Sequence, residues 1–216
     1  MTKNPDRSLK SLNFKWHIAL ATADAILLGL FVAPELLTTA TATQLGILRA
    51  LSAALIPVLV LLLLNLLSSN VKAMLVYWKP LGVLPGCEAF TRHGPADPRV
   101  DMVQLKKNVG ALPTDPKEQN SKWYKLYRQV ESRTEVAAAQ KDFLMYRDMA
   151  VLSLPLMALG PIAMKIAGAG PSAVWGAAAL FLVQYLVTAL SARHAGERFV
   201  CNVLEIGRAS CRERVS

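Results

Sequence analysis

SAVWGAAALFLVQYLVTALS, residues 172–191, runs for 20 residues without one acidic or basic side chain. At about 1.5 Å rise per residue a helix of that length reaches roughly 30 Å, the hydrocarbon thickness of a bilayer. Backbone polar groups find no water there, so a single segment satisfies them only by becoming a helix. Three more stretches have the same character: 16–37 (WHIALATADAILLGLFVAPELL), 47–68 (ILRALSAALIPVLVLLLLNLLS) and 148–168 (DMAVLSLPLMALGPIAMKIAG). The whole chain of 216 residues is 53% hydrophobic and 18% charged, with a mean hydropathy of +0.34. Such a balance is too apolar for an ordinary soluble domain. The expected fold class is all-α: a polytopic membrane protein whose four transmembrane helices form two hairpins, with a small cytoplasmic helical insert between them.

The first stretch follows Lys3, Arg7, Lys10 and Lys15 and precedes the small residues of TTATAT, as a secretory signal would. It is longer than the apolar region of a signal, which is about 7 to 15 residues, it carries Asp24, and a second apolar run follows directly. It reads as a retained anchor.

The basic residues set the orientation. Four lie in the N-terminal tail, thirteen in residues 69–147, and Arg193 and Arg198 follow the fourth stretch; only Arg49 and Lys165 lie towards the two short connections, and both can snorkel from a helix end. By the positive-inside rule both termini and the middle segment are cytoplasmic. Trp16, Tyr77, Trp78 and Trp175 fall near the expected interfaces. The net charge of +9 then reads as topology and attraction to anionic headgroups, not as nucleic-acid binding. The expected location is the cell membrane, the inner membrane if the source is bacterial, with several passes.

The cytoplasmic insert opens with a Pro- and Gly-rich portion, residues 79–116, expected to be mostly loop. Within it, Asp97 and Pro98 read as N-cap and N1 of a three-turn helix that Gly110 stops. Asp115, Pro116 and Glu118 mark a second start, and its helix carries Trp123, Tyr124, Leu126, Tyr127 and Val130. Ser132 and Glu135 repeat the capping spacing. A new helix from about 133 is therefore expected to run through Phe143, Leu144 and Tyr146 into the third span. Lys122, Trp123, Lys125 and Arg128 are the candidate surface for a partner or for lipid headgroups; core packing of the aromatics is the commoner role of such a cluster.

Within the membrane, Asp24 lies seven residues inside the first span, about 10 Å from its cytoplasmic end. A lone carboxylate at that depth is costly unless paired, protonated or wet. His17 and Glu35 share its helix face at 100° per residue. Gln184 lies at matching depth on the fourth span, with Thr188 and Ser191 continuing a stripe, and Asn65 and Ser153 enter the same half of the bilayer. Asp24, Asn65, Ser153, Gln184 and Thr188 are thus the candidate intramembrane polar cluster, either an ion path or interhelical glue. Ala21, Ala25 and Gly29 form a small-residue strip beside Asp24. Pro57, Pro155, Gly160 and Pro161 are positions where spans two and three can kink.

Catalytic chemistry is sparse. Cys87 and His93, and His194 and Cys201, do not have the paired close spacings of a zinc site, and cytoplasmic placement disfavours a disulfide between Cys87 and Cys201. No Walker loop, nucleophile elbow, dinucleotide fingerprint or H-E-x-x-H occurs. No catalytic residue, metal ligand set or cofactor is assigned.

Residues 205–216, EIGRASCRERVS, break the pattern, and the first eleven match one reading frame of a widely used sequencing adapter. They are set aside as non-native sequence. The expected organisation is an N-terminal tail at 1–15, hairpins at 16–68 and 148–191, the insert at 69–147, and a cytoplasmic end at 192–204 that is expected to be truncated. The expected role is non-enzymatic: an oligomeric pore, effector or signalling component whose partners are the bilayer, further copies of itself, or another membrane or cytoplasmic protein. The alternative is a small proton- or ion-coupled transporter centred on Asp24.

Overall fold

The computed structural model describes residues 5–32, 58–166 and 168–210. All regular structure among them is helical: α1 (Pro5–Val32), α2 (Val58–Leu66), α3 (Ser69–Tyr77), α4 (Met102–Val109), α5 (Pro116–Val130), α6 (Thr134–Ile166) and α7 (Pro171–Ser210), with a run of short helical turns over residues 85–96. The chain divides into two compact units, residues 1–72 with 147–189, and residues 73–146 with 190–216.

In the first unit the usual distribution of side chains is inverted along α1. Among the side chains described in α1, the buried ones are Asn13, His17 and Asp24, whereas Leu12, Trp16 and Ile26 are exposed. Leu59, Leu61, Leu62 and Leu66 of α2, Leu159 and Ile162 of α6, and Leu182, Val183 and Val187 of α7 are exposed too. A water-soluble surface rarely carries so continuous an apolar cover. In hydrocarbon it costs nothing, and the burden falls on the polar groups, which turn inward.

Where α6 and α7 meet, Met164, Ala177 and Phe181 form a buried cluster that Leu28 and Leu156 also touch. Gly160 lets the Phe181 ring in: a β-carbon there would lie 2.8 Å from Phe181 Cε2. Small residues permit such close helix contact in a membrane. Pro155 and Pro161 lie inside α6, which is one helix through both.

Among the described residues two helices, Thr134–Ile166 and Pro171–Gly207, are long and apolar enough to cross a membrane. A third span is reached only if α2 and α3, which meet at a bend of 87°, are counted as one. This is fewer than the four expected. Residues 33–57, which include the end of the first expected span, Glu35, Pro57 and half of the second span, lie outside the described residues. The helix after the bend was not expected. Ser68 accounts for it: its Oγ accepts a hydrogen bond from Val71 N–H at 3.4 Å and its carbonyl one from Lys72 N–H at 3.0 Å, which caps a new helix where the apolar run ends.

In the second unit, Asp115 caps α5 as expected, accepting hydrogen bonds from the N–H groups of Lys117 at 2.9 Å and Glu118 at 3.1 Å. α6 starts at Thr134 after the expected break, and Gly110, at φ 77°, follows the end of α4. The start of α4 departs from expectation. Its cap is Asp101, not Asp97, and accepts from Val103 N–H and Gln104 N–H. Asp97 is taken by Arg99, whose backbone N–H, Nε and Nη2 all donate to it at 2.7–3.0 Å. The segment expected to be loop instead winds into short turns over residues 85–96. Buried Gln119 holds them: its Oε1 accepts from the N–H groups of Phe90 and Thr91, and its Nε2 donates to Thr114 O at 2.9 Å.

Trp123 and Tyr127 are buried and stacked at 5.9 Å, and Phe199 meets both edge-on at ring centroid distances of 5.1 and 5.5 Å. Tyr127 Oη donates to Gln140 Oε1 at 3.1 Å. Trp123 thus belongs to the core, while Lys125 and Arg128 are exposed and Lys122 is half-buried. α7 does not stop at Leu204, where the sequence pattern breaks, but continues to Ser210 with Gly207 buried near Leu126. Residues 211–216 lie outside the description.

Removing the α5 cap by Asp115→Ala is expected to cost about 1 kcal/mol locally. Hydrogen exchange of the Lys117 and Glu118 amides should accelerate about fivefold, with the amides around Val130 unchanged.

Candidate functional site

Helices α1, α6 and α7 bring three of the expected polar residues together. Gln184 Nε2 donates to Asp24 Oδ2 at 3.0 Å and to Ser153 Oγ at 3.0 Å. Asp24 is 3% exposed and Ser153 fully buried, so the three groups make one interhelical polar junction within apolar segments. Ser153 Oγ also donates to Met149 O at 3.0 Å, one turn back in its own helix, which leaves its lone pairs to accept the amide proton.

The local sequence explains each placement. Asn13, His17 and Asp24 recur at offsets of four and seven residues along α1, which keeps them on one face at 100° per residue. Tyr185 and Phe181 flank Gln184 on α7 and are themselves buried. An amide is well suited to this position, since one NH₂ group offers two donors and so serves two acceptors.

Two expected members stand apart. Asn65 Nδ2 donates to Leu61 O at 2.8 Å in its own helix and is exposed. Thr188 Oγ1 donates to the carbonyls of Gln184 and Tyr185 at 2.8 and 3.0 Å, the back-bonding usual for a threonine in a helix. It buttresses the backbone of Gln184 without reaching the carboxylate.

A second buried polar group in this unit was not anticipated. Asp148 Oδ1 accepts from Lys72 Nζ at 3.2 Å and from Arg147 Nε and Nη2 at 3.0 and 2.9 Å, with all three side chains about 95% buried. Two cations thus share one carboxylate oxygen at the start of the apolar part of α6. The signal was present, since Arg147 and Asp148 adjoin the apolar run. The partner was not legible, because Lys72 lies 76 residues away on a helix that the sequence did not announce.

Across the two cysteine and histidine pairs, Cys201 Sγ donates to the backbone carbonyl of His93 at 3.6 Å. Cys87 and Cys201 are free and buried. Burial pushes the Cys87 thiol up and the His93 imidazole down. Among the described residues no three of His, Cys, Asp and Glu are grouped to hold a metal ion.

No family model matches the chain, and no curated protein or solved structure matches it.

Replacing Gln184 by Leu keeps the volume but removes the donor that serves both Asp24 and Ser153. A loss of about 1–3 kcal/mol is expected, measured as a lower midpoint of unfolding in detergent. An unchanged midpoint would show that the junction contributes nothing to stability.

Proposed function

We propose that the protein is an integral membrane protein of four spans in two hairpins. Its insert and both termini face the cytoplasm, and it works without catalysis as an oligomeric pore, effector or signalling component. One observation carries this reading: the first unit exposes leucine, isoleucine and valine while burying Asn13, His17, Asp24 and Ser153. That arrangement is adapted to a solvent that cannot hydrogen-bond. The basic bias of residues 69–147 supports the cytoplasmic side.

Topology is tested with Val103→Cys, a site 82% exposed in the insert. A membrane-impermeant thiol reagent is expected to label it in inverted vesicles and not in intact cells. Labelling from the outside of intact cells would reverse the orientation, and recovery of the chain in the detergent-free soluble fraction would end the membrane reading.

A second reading, a small proton- or cation-coupled transporter, is favoured by a specific feature of Asp24. Its hydrogen bond comes from a neutral amide, whereas the cations Lys72 and Arg147 are held by Asp148. A buried carboxylate with a neutral partner is a group that can take up and release a proton or bind a cation. Asp24→Asn keeps the shape and can still bond Gln184, so it separates charge from packing. Under the transporter reading it abolishes pH-gradient-driven flux in proteoliposomes with the unfolding midpoint preserved; unchanged flux leaves Asp24 as packing glue alone.

A further inference from the structure

The second unit contains an open cleft of about 690 Å³ that neither reading above uses. One wall is α7, where His194, Glu197, Arg198 and Cys201 recur at the i, i+3, i+4, i+7 spacing of a single helix face. The other wall is the turn segment from Arg92 to Arg99, which brings Arg92, His93, Asp97 and Arg99 to the same space. The volume is in the range of small-molecule sites, about 300–1,000 Å³.

The charges lining the cleft are unequal. Arg92, Arg99 and Arg198 face it with two imidazoles, against the carboxylates of Asp97 and Glu197. Asp97 is committed: Arg99 Nη2 lies 2.7 Å from it and holds its carboxyl at about 2. Arg92 shares Glu88 with Lys79, at 3.0 and 2.6 Å, so that carboxylate serves two cations and neutralises only one. Arg198 makes no hydrogen bond or ion pair among the described residues and is exposed at the mouth. Arg99 is occupied by Asp97 and by Glu205 at 3.4 Å, and Glu197 also lines the cleft. The guanidiniums open to a ligand in this concave site are therefore Arg198, which has no carboxylate partner among the described residues, and Arg92, which shares one, and their planar fork matches tetrahedral oxyanions.

We propose that this cleft binds a phosphate group, with Arg198 as the principal anchor, Arg92 as the second cation and His194 as a further donor. A lipid headgroup and a soluble phosphate ester offer the same chemistry to these residues. The proposal stands apart from the reading of Asp24, because no residue of the cleft belongs to the first unit.

The test uses the full chain in phosphatidylcholine nanodiscs. Two probes are titrated: radiolabelled inorganic phosphate by equilibrium dialysis, and nanodisc-incorporated phosphatidic acid, with oleic acid as an anion that lacks phosphate. At least one phosphate probe is expected to bind saturably, and oleic acid not to. Arg198→Gln should weaken that binding about tenfold or more, the loss expected for a charge-assisted contact. Arg92→Gln should weaken it to a lesser degree, and the double variant Lys122→Gln, Lys125→Gln should leave it unchanged. Arg198 makes no side-chain hydrogen bond or ion pair among the described residues and is exposed, so its variant should keep the wild-type unfolding midpoint. Saturable phosphatidic acid binding that inorganic phosphate does not displace supports the site with a headgroup as ligand; saturable, competing inorganic phosphate supports it with a soluble ester. Non-saturable binding of both probes, or saturable binding that neither Arg198→Gln nor Arg92→Gln alters, overturns the proposal.

Discussion

Gln184 reaches across from its helix to Asp24 on one side and Ser153 on the other, both at 3.0 Å. The first unit turns on this amide. Each of the three helices is apolar enough that a polar side chain facing outward into hydrocarbon would be costly, so each polar group must point inward and meet another. The meeting fixes the rotation of α1, α6 and α7 about their axes. Small residues complete the fit, as at Gly160, where the absence of a side chain admits the Phe181 ring. Individual hydrogen bonds of this kind contribute only about 1 kcal/mol, but their geometric demand is strict.

The second unit rests on different physics. Its helices are short, and their ends are closed by side chains: Asp101 for α4, Asp115 for α5 and, at the end of α3, Arg193. The Nε of Arg193 donates to Val76 O at 2.7 Å, and its guanidinium lies 3.7 Å from the centre of the Trp78 ring. Trp78 itself adopts φ 54°, a left-handed conformation costly for a side chain of that size and held here by the arginine against its face. The core is aromatic, with Trp123, Tyr127 and Phe143 each in ring contact with Phe199, as a small domain needs to bury enough area. These features contrast with the apolar exterior of the first unit. Polar groups are scarce and buried in the first unit, as at Asp24, and abundant around a concave surface in the second, as at Arg198.

Sequence alone determined the elements whose cause is local. Apolar runs of 20 residues make long helices because the backbone must satisfy itself. An aspartate before a proline starts α5, and a glycine at positive φ follows the end of α4. Even the partnership of Asp24 with Gln184 and Ser153 was legible, since depth along a span and helical phase restrict which polar residues can meet. Tertiary structure decided what depends on competition between partners far apart in the chain. Asp97 and Asp101 are equivalent as caps on paper, and only the capture of Asp97 by Arg99 awards the role to Asp101. Trp123 could face lipid or core until Phe199 arrives from α7. The Lys72–Asp148 pair and the cleft at Arg198 exist because segments some 75 to 105 residues apart converge, and such convergence leaves no periodic trace for a sequence to carry.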